Sequence, residues 1–218
     1  MTTRLETIFV KNVYNEIADD FDRTRFSHWE FILGFIKSLE TGKTLLDLGC
    51  GNGKYLSVRN DLELFALDNC ENLIKIVNKK YPSVKTFITD VSETPFLENT
   101  FDYIISIAVI HHLETEKRRI DMITEILRIL KPFGKALITA WGTEHSNMKT
   151  LNKSTKISET NDWLIPWQDK RKGISVNRFY HLFEMNEFEK LLENFSNLRI
   201  IEIKYERDNW NVIIQKIS

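Results

Sequence analysis

A seven-residue segment, Asp47-Leu48-Gly49-Cys50-Gly51-Asn52-Gly53, constrains the fold of this chain more than any other part of its sequence. It follows the apolar run Thr44–Leu48, which reads as a buried strand, and it precedes a helical pattern. Glycines at this position let the backbone turn tightly and approach a ligand closely. Open α/β sheets bind their ligands where a strand passes into a helix, so the segment predicts both an α/β fold and a binding site.

The rest of the chain alternates short apolar runs with helical stripes, which predicts a parallel sheet covered on both faces. The predicted strands are Thr44–Leu48, Leu62–Asp68, Val84–Ile88, Phe101–Val109 and Lys135–Trp141, followed by Leu198–Tyr205 and Trp210–Ile217 as a closing antiparallel hairpin. Apolar spacing predicts helices around Val13–Phe21, Trp29–Leu39, Leu73–Val77, Ile120–Leu130 and Met185–Phe195. Pro132 is expected to stop the fourth of these helices.

We expect a single domain across the 218 residues. Its predicted parts are N-terminal helices over residues 1–40, a ligand-binding core over 41–141, a polar insertion or loop over 143–175, and a helix with a hairpin over 176–218. The net charge of −1 excludes a generally basic nucleic-acid coat, and two cysteines are too few for a disulfide framework. With neither a signal-peptide pattern nor an apolar run of membrane-spanning length, the chain is expected to be soluble and cytoplasmic.

The glycine segment does not match the usual phosphate-binding patterns. The third glycine of a dinucleotide fingerprint would fall on Lys54, and the Gly-Lys-Ser/Thr sequence of a P-loop does not follow. Three carboxylates accompany it instead. Asp47 would repel a pyrophosphate and attract an amino group, Asp68 ends the second strand and could bind both ribose hydroxyls, and Asp90 could receive an adenine amino group.

This combination resembles the class I S-adenosylmethionine-dependent methyltransferases, as do Phe101-Asp102 and Leu130-Lys131-Pro132-Phe133-Gly134, although family members usually have glycine where Phe133 stands. The resemblance implies a Rossmann-like, seven-stranded, mostly parallel sheet with helices on both faces. It implies S-adenosylmethionine as cofactor, leaving as S-adenosylhomocysteine. The implied cofactor-binding residues are Tyr14, Asp47, Gly49, Gly51, Asn52, Asp68, Asn69, Asp90, Val91 and Ile107.

Segments outside the core narrow the resemblance. They are Val13–Phe21 with Thr24-Arg25, Ser106–His112, Lys117-Arg118-Arg119, Ala140-Trp141, Phe179–Phe183 and Glu206–Trp210. Together they resemble the tRNA wobble-uridine carboxymethyl methyltransferases, almost end to end. The resemblance implies methylation of the carboxylate of 5-carboxymethyluridine at tRNA position 34.

That reaction needs no general base, because a carboxylate is already ionised near neutral pH. Residues that orient the substrate are expected instead, and the candidates are Arg25, His111, Trp141, Arg207 and Asn209. Trp141 could stack on an extruded base, one of His111 and His112 should be structural, and Tyr14 could close over the carboxylate tail of the cofactor.

The expected partners are the tRNA anticodon loop and a small zinc-binding activator protein, the latter implied by the resemblance alone. Residues 143–180 contain seven bases and four acids, so this segment is the candidate tRNA contact. The bases are Lys149, Lys153, Lys156, Lys170, Arg171, Lys172 and Arg178. Trp163 and Trp167 could stack on bases or pack the segment down. The predicted third strand would be a sheet edge open to the activator. Any zinc would lie in the activator, and no metal site is expected here.

Two alternatives remain open from the sequence. A small-molecule methyltransferase with a quinone- or sterol-type acceptor would share the Tyr-x-x-Ile-Ala pattern at Tyr14 and the His111-His112 pair, although the basic insertion and the Glu206–Trp210 hairpin argue against it. A cofactor-binding scaffold without activity would keep the glycine segment, but it would leave the intact set of acids unexplained.

Overall fold

The computed structural model describes residues 2–144, 152–169 and 171–217. The strands are β1 (Thr44–Leu48), β2 (Glu63–Asp68), β3 (Lys85–Ile88), β4 (Phe101–Ile107), β5 (Leu130–Trp141), β6 (Thr155–Lys156), β7 (Asp162–Asp169), β8 (Ile174–His181), β9 (Leu198–Glu206) and β10 (Asn209–Lys216). The helices are α1 (Arg4–Glu6), α2 (Asn12–Thr24), α3 (Glu30–Lys37), α4 (Glu71–Lys80), α5 (Glu116–Ile129) and α6 (Glu187–Leu192), with a π-helical turn over Thr7–Lys11 and a 3₁₀ turn over Ile110–His112.

Seven strands form one sheet in the order β3-β2-β1-β4-β5-β10-β9. The first five pair in parallel, while β10 runs antiparallel to both β5 and β9. The residues between β9 and β10, Arg207 and Asp208, both have positive φ, as a two-residue hairpin turn requires. The predicted mostly parallel sheet with a C-terminal antiparallel hairpin is confirmed.

Helices cover both faces of this sheet, as predicted. On one face Ile32 and Ile36 of α3 pack with Leu45 of β1, and Ile74 of α4 packs with Ala66 of β2. The other face holds the larger core, where α5 and α6 cover residues such as Leu46. Strands β1 and β4 are buried along almost their whole length, because they lie at the centre of the sheet.

The boundaries of two strands differ from the prediction by more than one residue. Strand β4 ends at Ile107 rather than Val109, because Ala108 has a φ of +60° and turns the chain away from the sheet. Strand β5 begins at Leu130, so α5 already ends at Ile129, before Pro132. Phe133 has a φ of +64° and is 70% exposed, which explains why glycine suits this position.

The segment over 143–175, predicted as an insertion or loop, contains regular structure. Strands β6, β7 and β8 form a small antiparallel sheet, in which β7 and β8 pair along their full length from Asp162↔His181 to Asp169↔Ile174. Trp167 of β7 is buried against Val13 and Ile17 of α2. The small sheet and α2 therefore pack together over the carboxyl ends of the central strands.

Among the described residues, no helix combines the length and apolar character that crossing a bilayer requires.

Candidate active site

A cavity opens at the carboxyl ends of β1, β2, β4 and β5, beneath α2 and β8. It contains about 1270 Å³ of empty space, its open mouth included. All but two of the predicted site residues line it, and those two are Arg207 and Asn209. The predicted residues in its lining are Tyr14, Arg25, Asp47, Gly49, Gly51, Asn52, Asp68, Asn69, Asp90, Val91, Ile107, His111 and Trp141.

The glycine segment forms the floor of the cavity. The backbone N–H groups of Gly49 and Cys50 both donate to the carbonyl of Leu67, at 2.7 and 2.9 Å, which ties the segment to β2. Gly49 has a φ of +80°, and a Cβ there would lie 2.4 Å from a methyl carbon of Val109. Only glycine therefore lets the chain pass at this point.

Two carboxylates lie beside that floor. Asp47 is 2% exposed, and within the described chain no hydrogen bond reaches its carboxylate. Burial, and then the nearby Asp68, raise the pKa of Asp47 to about 7. Asp68 accepts N–H hydrogen bonds from Gly51 and Cys70, both at 2.9 Å, and burial also raises its pKa. This end of the cavity is thus electrically suited to a ligand with a cationic group and hydroxyl donors.

Asp90 already has four hydrogen-bond donors. One oxygen accepts from the backbone and side chain of Ser92, and the other accepts from Thr2 at 2.6 Å and Arg118 at 2.7 Å. These contacts outweigh burial and lower the pKa of Asp90 to about 2. A carboxylate has about four acceptor positions, so an adenine amino group would have to displace one of these donors.

Arg118 links the same corner to the N-terminal helix. Its guanidinium also contacts the buried carboxylate of Glu6, at 3.0 Å. Glu6 in turn completes a capping box with Thr3 at the start of α1. The N-terminal residues are therefore held over the β3 side of the cavity by buried ion pairs.

Asn52 ties the floor to α2. Its side-chain amide donates to the carboxylate of Asp22 and to the backbone carbonyl of Arg25, both at 3.0 Å. Both amide hydrogens are used in this way, so Asn52 positions the end of α2 above the floor.

The opposite end of the cavity holds two histidines with different roles. Nδ1 of His111 accepts the backbone N–H of Trp141 at 3.0 Å, so the neutral ring carries its proton on Nε2. That Nε2 is buried with no partner among the described residues. Burial lowers the pKa of His111 well below its usual value, which keeps the ring neutral. His111 therefore offers an unused N–H donor.

His112 is fully engaged. Its Nδ1 lies 2.7 Å from the carbonyl of Phe179 and must donate to it, so Nε2 accepts from the Tyr14 hydroxyl at 3.0 Å. Burial lowers the pKa of His112 to about 3. Of the two histidines, His112 has the structural contacts, because it connects β8 to α2. Tyr14 contributes its hydroxyl to this connection.

Arg178 and Tyr180 line the same end of the cavity, and the sequence did not single them out as site residues. The Tyr180 ring stacks on His111 at 4.7 Å, and its hydroxyl accepts from Arg178 Nη1 at 2.7 Å. Arg178, counted above among possible phosphate contacts, is instead 5% exposed. Arg178 and Tyr180 are two positions apart on β8, so their side chains lie on the same face of the strand. A strand predicted over these residues would have placed both side chains together.

Trp167 and Trp141 also differ in their surroundings. The indole N–H of Trp167 donates to buried Asp20 at 3.0 Å, so this residue packs the small sheet onto α2. The guanidinium carbons of Arg25 and Arg178 lie 4.6 and 4.8 Å from its ring centre. Trp141 lines the cavity, partly exposed, with Tyr180 4.7 Å away.

The two remaining predicted residues lie outside the cavity lining. Arg207 is exposed in the β9–β10 turn, and Asn209 is buried where β10 pairs with Trp141. The Asn209 side chain donates to the backbone carbonyl of Arg207 at 2.6 Å, which closes the turn. In this structure both residues shape the strand end that carries Trp141.

Comparison with known proteins agrees with this geometry. A family model described as a methyltransferase domain matches residues 46–138. The tRNA (carboxymethyluridine(34)-5-O)-methyltransferase of Schizosaccharomyces pombe is 35% identical over 99% of this chain and 100% of its own length. The Xenopus tropicalis protein of the same activity name, alkbh8, is 33% identical over 98% of this chain but only 41% of its own length. Against several other relatives of this name the chain spans between 44% and 57% of their length, for example 47% of the Arabidopsis thaliana protein.

Solved structures support the fold. A Clostridium acetobutylicum S-adenosylmethionine-dependent methyltransferase has a TM-score of 0.72 at 15% identity, covering 95% of this chain and 100% of its own. A chain from the complex of the Haloferax volcanii Trm112 methyltransferase activator with a putative methyltransferase has a TM-score of 0.69 at 15% identity, covering 96% and 97%.

This chain belongs to the tRNA (carboxymethyluridine(34)-5-O)-methyltransferase family. It is a class I methyltransferase, and S-adenosylmethionine is its cofactor.

Proposed function

We propose that this chain, as a member of that family, transfers the methyl group of S-adenosylmethionine to the carboxylate of 5-carboxymethyluridine at tRNA position 34, giving the methyl ester. The observation that carries the proposal is the similarity to the Schizosaccharomyces pombe enzyme over the full length of both chains. The cavity supports it, because carboxylates lie at one end and unused N–H donors at the other.

The reaction requires little chemistry from the protein. The cofactor supplies an activated methyl group on a sulfonium, so its methyl–sulfur bond breaks as a methyl–oxygen bond forms. No proton moves, because the acceptor carboxylate is already ionised. The lowered pKa values of both cavity histidines make them weak bases, which agrees with a reaction that needs no general base. The residues of the chain contribute by holding oxygen, methyl and sulfur in line.

At the carboxylate end, Asp47 is assigned to the ammonium group of the cofactor and Asp68 to its ribose hydroxyls. Asp47 is the better fit for a cation, since its carboxylate has no hydrogen-bond partner in the described chain. Asn69, Val91 and Ile107 also line the cavity and are assigned to the adenosine.

At the other end, we assign Trp141 to stacking on the extruded uracil, because its partly exposed indole lines the cavity. His111 is assigned to a hydrogen bond with an acceptor oxygen of the same nucleotide through Nε2. Arg25 lies at the exposed end of α2 and contributes positive charge at the cavity mouth.

The proposed tRNA contact has fewer available cations than the sequence suggests. Arg178 is buried, Arg171 lies 3.5 Å from Asp20, and Lys172 lies 3.3 Å from Asp19. Lys149 and Lys170 lie outside the described residues. Lys153 and Lys156 are exposed and are the described lysines that we assign to phosphates.

We place the reaction in the cytoplasm, where the two unpaired cysteines would stay reduced.

We further propose that a small zinc-binding activator covers the edge of the central sheet at β3, with the zinc in the activator. Among the described strands, β3 pairs only with β2, and Ile88 is 54% exposed there. An open apolar edge of this kind invites strand addition. A structural neighbour comes from the complex of a methyltransferase activator, Haloferax volcanii Trm112, with a putative methyltransferase.

Transfer of labelled methyl to purified tRNA tests the proposed function. The chain is assayed alone and with the activator, on tRNA carrying 5-carboxymethyluridine and on the same tRNA carrying unmodified uridine. Label is expected in the modified tRNA only, and mild alkali should release it as expected for an ester. Cofactor binding without any label would contradict the proposal and direct the search to small-molecule acceptors.

A further inference from the structure

Arg178 has one side of its guanidinium in use and one side unused. Nη1 donates to the Tyr180 hydroxyl at 2.7 Å and lies 3.5 Å from the Tyr14 hydroxyl. Nε is buried without an acceptor, and no hydrogen bond within residues 2–144, 152–169 and 171–217 reaches Nη2. Nε and Nη2 form the edge of a guanidinium that grips a carboxylate with two parallel hydrogen bonds.

This buried charge has no carboxylate partner in the described part of the chain. Asp20, the buried acid that contacts the Trp167 indole N–H, is already paired with Arg23. The Trp167 and Tyr180 rings lie 4.8 and 5.0 Å from the Arg178 guanidinium carbon and offset part of the desolvation cost. Burial raises the pKa of Tyr180, so its hydroxyl stays neutral. A buried cation without a counter-ion is costly, which points to an anionic ligand.

A second unused donor lies close by. The His111 ring stacks on Tyr180, the residue whose hydroxyl receives Arg178, and its Nε2–H has no acceptor in the described chain. Two buried donors without acceptors favour a ligand that only accepts hydrogen bonds. A carboxylate is such a ligand, whereas a carboxamide presents an NH₂ donor in place of one oxygen.

We propose that the Nε–Nη2 edge of Arg178 binds the carboxylate of the carboxymethyl group and makes the enzyme selective for the ionised acid. This inference rests on the proposed function. The rings of Trp167 and Tyr180 also interact with the Arg178 charge, so the guanidinium does not pair with the carboxylate alone. The carboxylate is therefore oriented and keeps an oxygen lone pair for bonding to the methyl group. The ester product has lost its charge, so the same edge holds the product less tightly than the acid.

The cofactor also has a carboxylate, which we assign to the part of the cavity near Asp47. Lys54 lines the cavity and interacts electrostatically with Asp47, which is assigned to the ammonium of the same amino-acid tail, so we assign the carboxylate of the cofactor to Lys54. Arg178 instead shares its contacts with His111 through Tyr180. The two carboxylates of the reaction therefore have separate cationic partners.

The test uses the full chain with two substitutions, R178K and R178M, and the control R199M. Lysine keeps the charge but loses the two-donor edge, whereas methionine removes both. Arg199 is an exposed arginine on β9 that binds Gln215, far along the sheet from the cavity. Melting temperatures establish that each variant is folded, and R178K decides the outcome should R178M unfold.

Three quantities are measured: the dissociation constant of S-adenosylmethionine, kcat/KM for tRNA with 5-carboxymethyluridine, and the affinities of that tRNA and its 5-carbamoylmethyluridine counterpart with S-adenosylhomocysteine present. Wild-type protein and R199M should bind the acid at least tenfold tighter than the amide. In R178M this ratio should fall to about one and kcat/KM by about 100-fold, with R178K between the two. The dissociation constant of the cofactor should stay within twofold.

Two results would overturn the assignment. One is an acid-over-amide preference that survives in R178K and R178M. The other is a cofactor affinity that falls while the preference is kept, which would assign Arg178 to the carboxylate of the cofactor. Failure of wild-type protein to methylate the modified tRNA would instead overturn the proposed function, so the two failures are distinct.

Discussion

The two ends of the cavity differ in charge and in how the chain builds them. The carboxylate end, which we assign to the cofactor, carries Asp47 within β1 and Asp68 at the end of the neighbouring strand β2, near the glycine segment. The acceptor end carries Arg178, Tyr180 and His111, which come from β8 and from the turn after β4, about 70 residues apart. A methyl donor with a cationic group and an acceptor with an anionic group need such opposite surroundings.

Each end of the cavity has buried charged or polar groups that the described chain does not satisfy: acids at the cofactor end, N–H donors at the acceptor end. Burial raises the pKa of Asp47, and the nearby charge of Lys54 offsets only part of that effect. Arg178 shows the opposite arrangement, because its buried Nε has no hydrogen-bond acceptor in the described chain. Each end is therefore electrically incomplete until its own ligand binds.

The strongest test of the cofactor end is D68N. Replacing one charged acceptor oxygen with an NH₂ group removes hydrogen bonds to the ribose and disturbs the N–H contacts of Gly51 and Cys70. Cofactor affinity should fall about 100-fold by calorimetry, with tRNA affinity unchanged. The control is D121N on the outer side of α5, where Asp121 binds only Lys117 among the described residues. Equal losses of cofactor affinity in D68N and D121N would contradict the assignment of Asp68 to the cofactor.

Substitutions at His111 test the acceptor end of the cavity. In H111N the asparagine oxygen can still accept the Trp141 N–H, but the Nε2–H donor is lost. We expect kcat/KM for the modified tRNA to fall about 10- to 30-fold while cofactor affinity stays constant. H111A should cost more, because it also leaves the Trp141 N–H unsatisfied. A cofactor-affinity defect in H111N would contradict the assignment.

The raised pKa of Asp47 makes the effect of substituting this residue depend on pH. Its pKa in the folded protein is about 7 and its ordinary value is 3.8, so this group favours folding in acid and that contribution is lost as pH rises toward 7. Without cofactor, D47N should therefore melt a few degrees above wild type at pH 8, with little difference below pH 4.

The same substitution should weaken cofactor binding about tenfold at pH 8, because the amide cannot pair with the ammonium group. Wild-type cofactor affinity should also fall as pH drops below about 7. A melting-temperature difference that does not change with pH would refute the assigned state of Asp47.

The smallest expected effect concerns the exposed lysines. The double substitution K153A/K156A should weaken tRNA binding two- to fivefold and reduce the dependence of binding on salt. The acid-over-amide preference and the cofactor affinity should not change. Filter binding across a salt series measures this, and an unchanged salt slope would remove these lysines from the interface.

Sequence reasoning predicted the cofactor end well because its signals are local. The glycine segment, Asp47 and Asp68 all lie within 22 residues, and the strand pattern places them at one sheet edge. It also predicted His111 and Trp141 as cavity residues through the family resemblance, and the structure places both in the lining.

The remaining features depend on contacts across long stretches of chain. Asp90 is saturated by Thr2 and Arg118, which lie 88 and 28 residues away. Arg178 was grouped with surface bases because Pro166 and many charges obscured the pairing of β7 with β8. Burial of a charge is decided by tertiary packing, which no local pattern reports.

One measurement tests the division between the two ends most directly. Methyl transfer by wild type, D68N and R178K is followed while cofactor and modified tRNA are varied independently. We predict that D68N lowers kcat/KM for the cofactor and R178K lowers kcat/KM for the tRNA, with the KM of the other ligand unchanged in each variant. Changes in both KM values for R178K would contradict the account.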